Sequence, residues 1–230
     1  LLVAFCLRAP ERQTPAPPPV KKLPSLGAGD DLQGCPIIPG APWVPIITIM
    51  MISCAYNFGQ SFFDGFFPVL CYDRFGLQAS AIGSVQTAMA LVVFAVTTFI
   101  YGPTVRRLGL VNTAVVGLLL ISCGLMPLGL PRALPAALLA VAVYAVGVPL
   151  FSPSVPVLLT RCAPTGRRGL VLGVDSAVNS VGRIVAPTLI GALYGASPAR
   201  AFGLVGAVVA AGALVMFIEK TGLSLMSSRR

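Results

Sequence analysis

Residues 75–105, 108–131, 133–160 and 201–218 contain no Asp, Glu, Lys or Arg. A helix needs roughly 20 residues to cross the ~30 Å hydrocarbon core of a bilayer, and each of these stretches is at or near that length. A water-soluble fold would have to bury several such helices side by side. It would have little to cover them with, because only 10% of the chain is charged against roughly 25% in soluble domains. The chain therefore reads as an all-α membrane protein.

Six spans follow from the pattern: I at 44–70, II at 79–102, III at 110–130, IV at 133–159, V at 169–194 and VI at 200–218. Turn residues separate them: Arg74-Phe75-Gly76, Gly102-Pro103, Pro131, Ala163-Pro164-Thr165-Gly166 and Ser197-Pro198. Residues 44–219 thus form a six-helix bundle. Residues 8–43, with Pro10, Pro15, Pro17, Pro18 and Pro19 among their prolines, read as an extended Pro-rich linker. Residues 1–7 are apolar and too short for a signal-peptide core; they read as the end of a preceding transmembrane helix, and the chain as a fragment. Residues 220–230 form a polar tail.

The formal net charge is +9. In this chain it marks orientation in the bilayer, not nucleic-acid binding. One side receives Arg8, Arg12, Lys21, Lys22, Arg106, Arg107, Arg161, Arg167, Arg168, Lys220, Arg229 and Arg230; the other receives Arg74, Arg132 and Arg200. Positive loops face the cytoplasm, so the linker and the C-terminus are expected there, in a multi-pass topology. The six cysteines include no Cys-x-x-Cys pair, and no metal site or cofactor is indicated.

Six spans divide into two triplets of opposite orientation, an inverted-repeat plan in which interrupted helices at matching positions point to a binding site. The first member of each triplet is interrupted, span I by Gly59, Gly65 and Pro68 and span IV by Gly147, Pro149, Pro153 and Pro156. Span I also carries Asn57, Gln60 and Asp64 at offsets of three and four, and span V carries Asp175, Asn179 and Arg183 at i, i+4 and i+8. Each set makes one stripe on one helical face. A charge at mid-helix costs about 2.5–3.5 kcal/mol on insertion scales, so these groups are expected to face the bundle interior or a wet cavity. Asp175, only seven residues beyond Arg168, could instead tie down a loop near the interface, and Asp64 could line the outer mouth.

Three stretches resemble the major facilitator superfamily, in particular the C-terminal six-helix half of its drug:proton antiporters. The apolar opening followed by the linker resembles that family's sixth helix and central cytoplasmic loop. Gly102-Pro103-Thr104-Val105-Arg106-Arg107-Leu108-Gly109 is similar to its short basic loop between the second and third helices of each half. The family pattern has an acidic residue where Arg106 stands. Gly173, Gly182, Ala186-Pro187 and Gly191 resemble the antiporter glycine pattern, with Ala186 and Ile190 in place of two glycines.

The resemblance implies half of a twelve-helix fold and a missing N-terminal six-helix partner. It implies a gating loop at Gly102, Arg106, Arg107 and Gly109, and helix packing at Gly173, Gly182, Pro187 and Gly191. Spans I and IV would line a central cavity, II and V would meet the missing half, and III and VI would face lipid. The expected function is secondary transport of a small solute by alternating access, coupled to protons. Asp64 and Asp175 are the candidates for protonation, Arg183 for an anionic partner, and Asn57, Gln60, Asn179 and Tyr144 for polar contacts along the pathway.

Other classes fit less well. The chain has no His and no Gly-x-Ser-Gly, so neither a Ser–His dyad nor a His-Glu-x-x-His zinc site can be assembled. The Pro-x-Asp/Glu-x-x-Lys/Arg motifs of mitochondrial carriers are absent. A non-transporting membrane partner or regulator derived from a transporter is the alternative.

Overall fold

The computed structural model describes residues 43–130, 133–164 and 167–227, with side chains as far as Thr221. The apolar opening, the linker as far as residue 42, Pro131, Arg132, Thr165, Gly166, Ser228, Arg229 and Arg230 lie outside the described residues. Every regular element among the described residues is helical, as a chain in hydrocarbon requires when each backbone N–H and C=O must find a partner within its own segment.

Span I is α1 (Val44–Phe75). Span II is α2 (Ala79–Ala95), a π-helical turn at Val96–Tyr101, and α3 (Gly102–Leu108). Span III is α4 (Leu110–Leu128). Span IV is α5 (Leu134–Phe151) and α6 (Ser154–Cys162), broken at Ser152-Pro153. Spans V and VI are α7 (Arg168–Ala196) and α8 (Pro198–Ser227). All six are long and apolar enough to cross a membrane.

Three details depart from the sequence reading. Span I is not interrupted: α1 runs unbroken through Gly59, Gly65 and Pro68. Gly102-Pro103 is not a turn: the helix runs through it to Leu108. Proline lacks an N–H and its ring crowds the carbonyl four residues back, and the wide π turn just before it relieves both. The II–III connection is Gly109 alone, whose φ of 81° and ψ of 160° fall where a side chain is strained. Helix α8 also continues to Ser227, past the position where the tail was expected to begin. The turn at Gly76 is as expected. Its φ is 62°, its N–H donates to Tyr72 O at 3.0 Å and the Leu77 N–H to Cys71 O at 3.3 Å, closing the end of α1.

The packed pairs of spans reveal the repeat. Exchanging I, II and III for IV, V and VI turns I–V into IV–II, I–VI into IV–III, I–II into IV–V and II–III into V–VI, while I–IV and III–VI map onto themselves. Each of these pairs is in contact, so the set is closed under the exchange, as two inverted triplets require.

Two kinds of packing hold the bundle. On α1, Phe62, Phe63 and Phe67 are fully buried. Phe63 stacks on Tyr144 of α5 at 4.2 Å, and Phe62 meets Phe202 of α8 edge-on at 5.0 Å. The III–IV and III–VI contacts are instead backbone against backbone. A Cβ on Gly124 would lie 2.7 Å from Ala140 O and Tyr144 N, one on Gly147 would lie 2.7 Å from Gly117 O, and one on Gly206 would lie 2.8 Å from Met126 N. With no hydrophobic drive between helices in lipid, such close approach is a main source of association. Ser122 Oγ adds a buried bond to Gly206 O at 2.9 Å.

Spans II and V bury the least of their surface in this bundle. Leu91, Phe94 and Phe99 on span II, and Val181, Ile184 and Leu189 on span V, point outward.

Candidate functional site

The polar stripes of α1 and α7 face each other. Arg183 Nε donates to Asn57 Oδ1 at 3.0 Å, and Asn57 Nδ2 donates back along its own helix to Ser53 O at 2.9 Å. Asn179 Nδ2 donates to Ser53 Oγ and to Asp175 Oδ2, both at 3.0 Å. Ser61 Oγ donates to Arg183 O at 2.8 Å. The two helices are thus laced by polar contacts from Ser53 to Ser61. The spacing explains the match: residues four apart return to the same face, so Ser53, Asn57 and Ser61 meet Asp175, Asn179 and Arg183.

Close approach makes this possible. Gly182 sits against Cys54, where an added Cβ would be 3.0 Å from the sulfur, and Gly191 sits against Phe66 at 3.3 Å. Pro187 lies within α7 between them. Gly173, the fourth position of the pattern, is exposed with open space beside it.

Asp64 is exposed on α1, beyond Arg183 along the stripe, and lies within electrostatic reach of the Arg183 guanidinium. Tyr56 and Tyr144, both almost wholly buried, stand within electrostatic reach of Asp64. Gln60 is half-buried on the same helix. The structure therefore gathers Asn57, Asp64, Tyr144 and Arg183 on spans I, IV and V, with Asp175 and Asn179 further along the I–V seam.

Sequence reasoning did not single out Ser53, the hub of the lower contacts. It lies four residues before Asn57, on the same stripe, but a hydroxyl in an apolar helix is too common to stand out. It also missed how the break in span IV is supported. Tyr101, the last residue of the π turn in span II, places its hydroxyl 3.3 Å from Ser154 Oγ, and Ser154 Oγ donates to Leu150 O at 2.9 Å. From the other side Tyr56 hydrogen-bonds Ser152. Two phenols thus hold the carbonyl-exposing break on either flank, where prolines at 153 and 156 remove the normal donors. Tyr101→Phe is expected to free the span II side of this break. Hydrogen exchange at residues 150–156 should rise by about tenfold, the equivalent of one ordinary hydrogen bond of ~1 kcal/mol or slightly more, with exchange in α4 unchanged.

Of the residues expected to form a gating loop, Arg106 and Arg107 are exposed in the last turn of α3, a favourable place for cations at a helix C-terminus. Gly102 lies at the start of that helix, and Gly109 is the single residue joining spans II and III. At the opposite end of the bundle, the Arg74 guanidinium hydrogen-bonds Gly129 O and reaches Leu130 O at 3.5 Å, fastening span I to the end of span III. Beside it lies a cavity of about 370 Å³ lined by Asp73, Arg74, Tyr194 and Ser197.

The sequence model of the Major Facilitator Superfamily matches residues 49–223, from the first turns of α1 into α8. The chain belongs to the major facilitator superfamily. Among solved structures it is similar to a peptide transporter, POT, determined as a mutant in complex with sulfate. The TM-score is 0.68 with 20% identity, over 78% of this chain and 38% of that one. At that identity the likeness is one of fold, and the chain spans well under half the length of the structure it matches. No curated protein matches the chain. As a major facilitator superfamily member with six membrane-crossing helices, it is a multi-pass membrane protein.

Proposed function

We propose that the chain is the C-terminal half of a proton-coupled secondary transporter of the drug:proton antiporter type, carrying a small solute by alternating access. The observation that carries this reading is the I–V seam, where Arg183 and Asn57 pair at 3.0 Å inside otherwise apolar spans. A charge placed there costs several times what any one Leu or Val returns on insertion, and a purely structural helix pair would not need it.

In this reading Asp64 and Arg183, accessible on one side, meet the solute, with Asn57 and Gln60 as neutral hydrogen-bonding groups beside them. Asp64 and Asp175 are the carboxyl groups available to protons. The outward apolar faces of spans II and V support docking against an N-terminal six-helix half, since these are the two spans the bundle covers least. The end carrying Arg106, Arg107, Arg161, Arg167 and Arg168 faces the cytoplasm, by the excess of positive charge there.

The experiment is uptake of a panel of radiolabelled small solutes into proteoliposomes, using the protein from its complete reading frame alongside Asp64→Asn and Arg183→Ala. Loss of uptake in both variants supports the site; uptake equal to the unaltered protein in both removes it. The topology has its own check. Single cysteines replacing Arg106 and Arg167 should react with a membrane-impermeant thiol reagent from the same face of the bilayer. Labelling from opposite faces would overturn the assigned orientation.

A further inference from the structure

Asp175 is buried between α7 and α1, the residue being only 8% exposed. Its two oxygens are treated differently. Oδ2 accepts from Asn179 Nδ2 at 3.0 Å, whereas Oδ1 is enclosed and has no hydrogen-bond partner. The neighbouring side-chain donors are few and largely taken up. Both hydrogens of Asn179 Nδ2 are used, one on Asp175 Oδ2 and one on Ser53 Oγ. The single hydroxyl hydrogen of Ser53 is shared between Asn179 Oδ1 at 3.2 Å and the Asp175 carboxyl, and Asp175 Oδ1 is still left without a partner. Asn57 Nδ2 is spent on Ser53 O, and Arg183 Nε is turned to Asn57.

An ionised carboxylate left this way carries its charge into a low-dielectric seam with one oxygen unsolvated, and the penalty for a buried ion without a counter-charge is several kcal/mol. One proton on the carboxyl removes that penalty. A metal ion does not fit as well. Asp175 is the one formal negative charge in its cluster, and no group of three Asp, Glu, His or Cys able to hold a metal is found among the described residues. Asp64 differs in being exposed and within electrostatic reach of the Arg183 guanidinium. The two carboxylates that the transport reading leaves open are therefore not equivalent.

We propose that Asp175 is the proton-carrying group of this transporter, with Asn179 and Ser53 as its positioning residues and Asp64 left to the solute with Arg183. The proposal rests on the proton-coupled reading above. A proton taken up at the carboxyl forms one O–H bond and neutralises the seam. Separation of α7 from α1 re-admits water, to which the same proton is returned, so nothing but the proton is exchanged. The ionisable groups at this end are Cys54 on α1, Arg168 at the start of α7 itself, Arg161 in the last turn of α6, and Glu219 and Lys220 on α8. Cys54 acts on Asp175 electrostatically.

The test needs no identified solute. The full chain is reconstituted in lipid, and infrared difference spectra are recorded between acid and alkaline buffer. The unaltered protein is expected to show a protonated-carboxyl C=O band that Asp175→Asn lacks and Asp64→Asn keeps. Asp175→Glu, which retains the acid if the amide variant fails to fold, should keep the band at a shifted position. Asn179→Ala should move the pH at which the band disappears. An unchanged band in folded Asp175→Asn overturns the proposal, as does a band that responds to sodium chloride at fixed pH, which would make the occupant a metal ion. The transport reading fails separately: the uptake experiment with Asp64→Asn and Arg183→Ala can come out negative whatever this spectrum shows.

Discussion

Arg183→Ala is expected to lower solute uptake by about tenfold or more, with the quantity of folded protein in the membrane essentially unchanged. The guanidinium holds Asn57 Oδ1 at 3.0 Å and sets the field at Asp64. A hydrogen bond to a charged group is worth about 1.5–3 kcal/mol, and 1.4 kcal/mol is a factor of ten in an equilibrium. The fold does not depend on it to the same degree, because the helices on either side are held by Gly182 against Cys54 and by the aromatic packing of Phe62 and Phe66 on Tyr194. Arg183→Lys separates charge from shape. It keeps the positive charge near Asp64 but cannot reproduce the Nε–H directed at Asn57, so partial uptake is expected. Initial rates over a range of solute concentrations should locate the deficit in binding, as a raised KM, if the residue meets the solute directly. Full-rate uptake by Arg183→Ala would remove the residue from the pathway.

The second large effect concerns the fold. Gly124→Val is expected to abolish the stable bundle, or to lower its unfolding temperature by many degrees in detergent. The new Cβ would stand 2.7 Å from Ala140 O and from the Cβ and N of Tyr144, and two of those three atoms are backbone that cannot rotate away. Relief requires α4 and α5 to move apart, which breaks their backbone-to-backbone contact. Overpacking a filled core costs about 1–3 kcal/mol even when side chains can adjust, so the backbone clash belongs at or above the upper end. Gly173→Ala is the control. Nothing lies within 4 Å of its added Cβ, and the bundle should unfold at an unchanged temperature. A thermal shift in Gly173→Ala as large as that in Gly124→Val would contradict the packing described here.

These two glycines show where sequence reasoning reached and where it stopped. The pattern on α7 pointed to Gly173, Gly182 and Gly191, and two of the three do lie against α1. The seam of Gly117, Gly124 and Gly147, where backbones actually touch, carries no sign of its partner: a glycine in an apolar helix looks the same whether it faces a carbonyl or lipid. The stripes were legible because charge in hydrocarbon is rare, so Asn57, Asp64, Asp175, Asn179 and Arg183 stood out at once. That Asn57 would meet Arg183, while Asp175 would keep one oxygen unpartnered, depended on the relative rotation and height of two helices. The π turn before Gly102-Pro103 was hidden for a related reason. A proline marks a discontinuity, but neighbours such as Ser154 decide how the backbone absorbs it.

Sequence alone settled that this chain is a membrane protein of six helices, because transfer of charge and unpaired backbone into hydrocarbon is costly enough to be read from composition and spacing. The tertiary structure decided which polar groups are partners and which are stranded. Hydrogen bonds are made or lost over a few tenths of an ångström, and that distance is set by how closely glycine-lined helices can approach, which no single helix encodes.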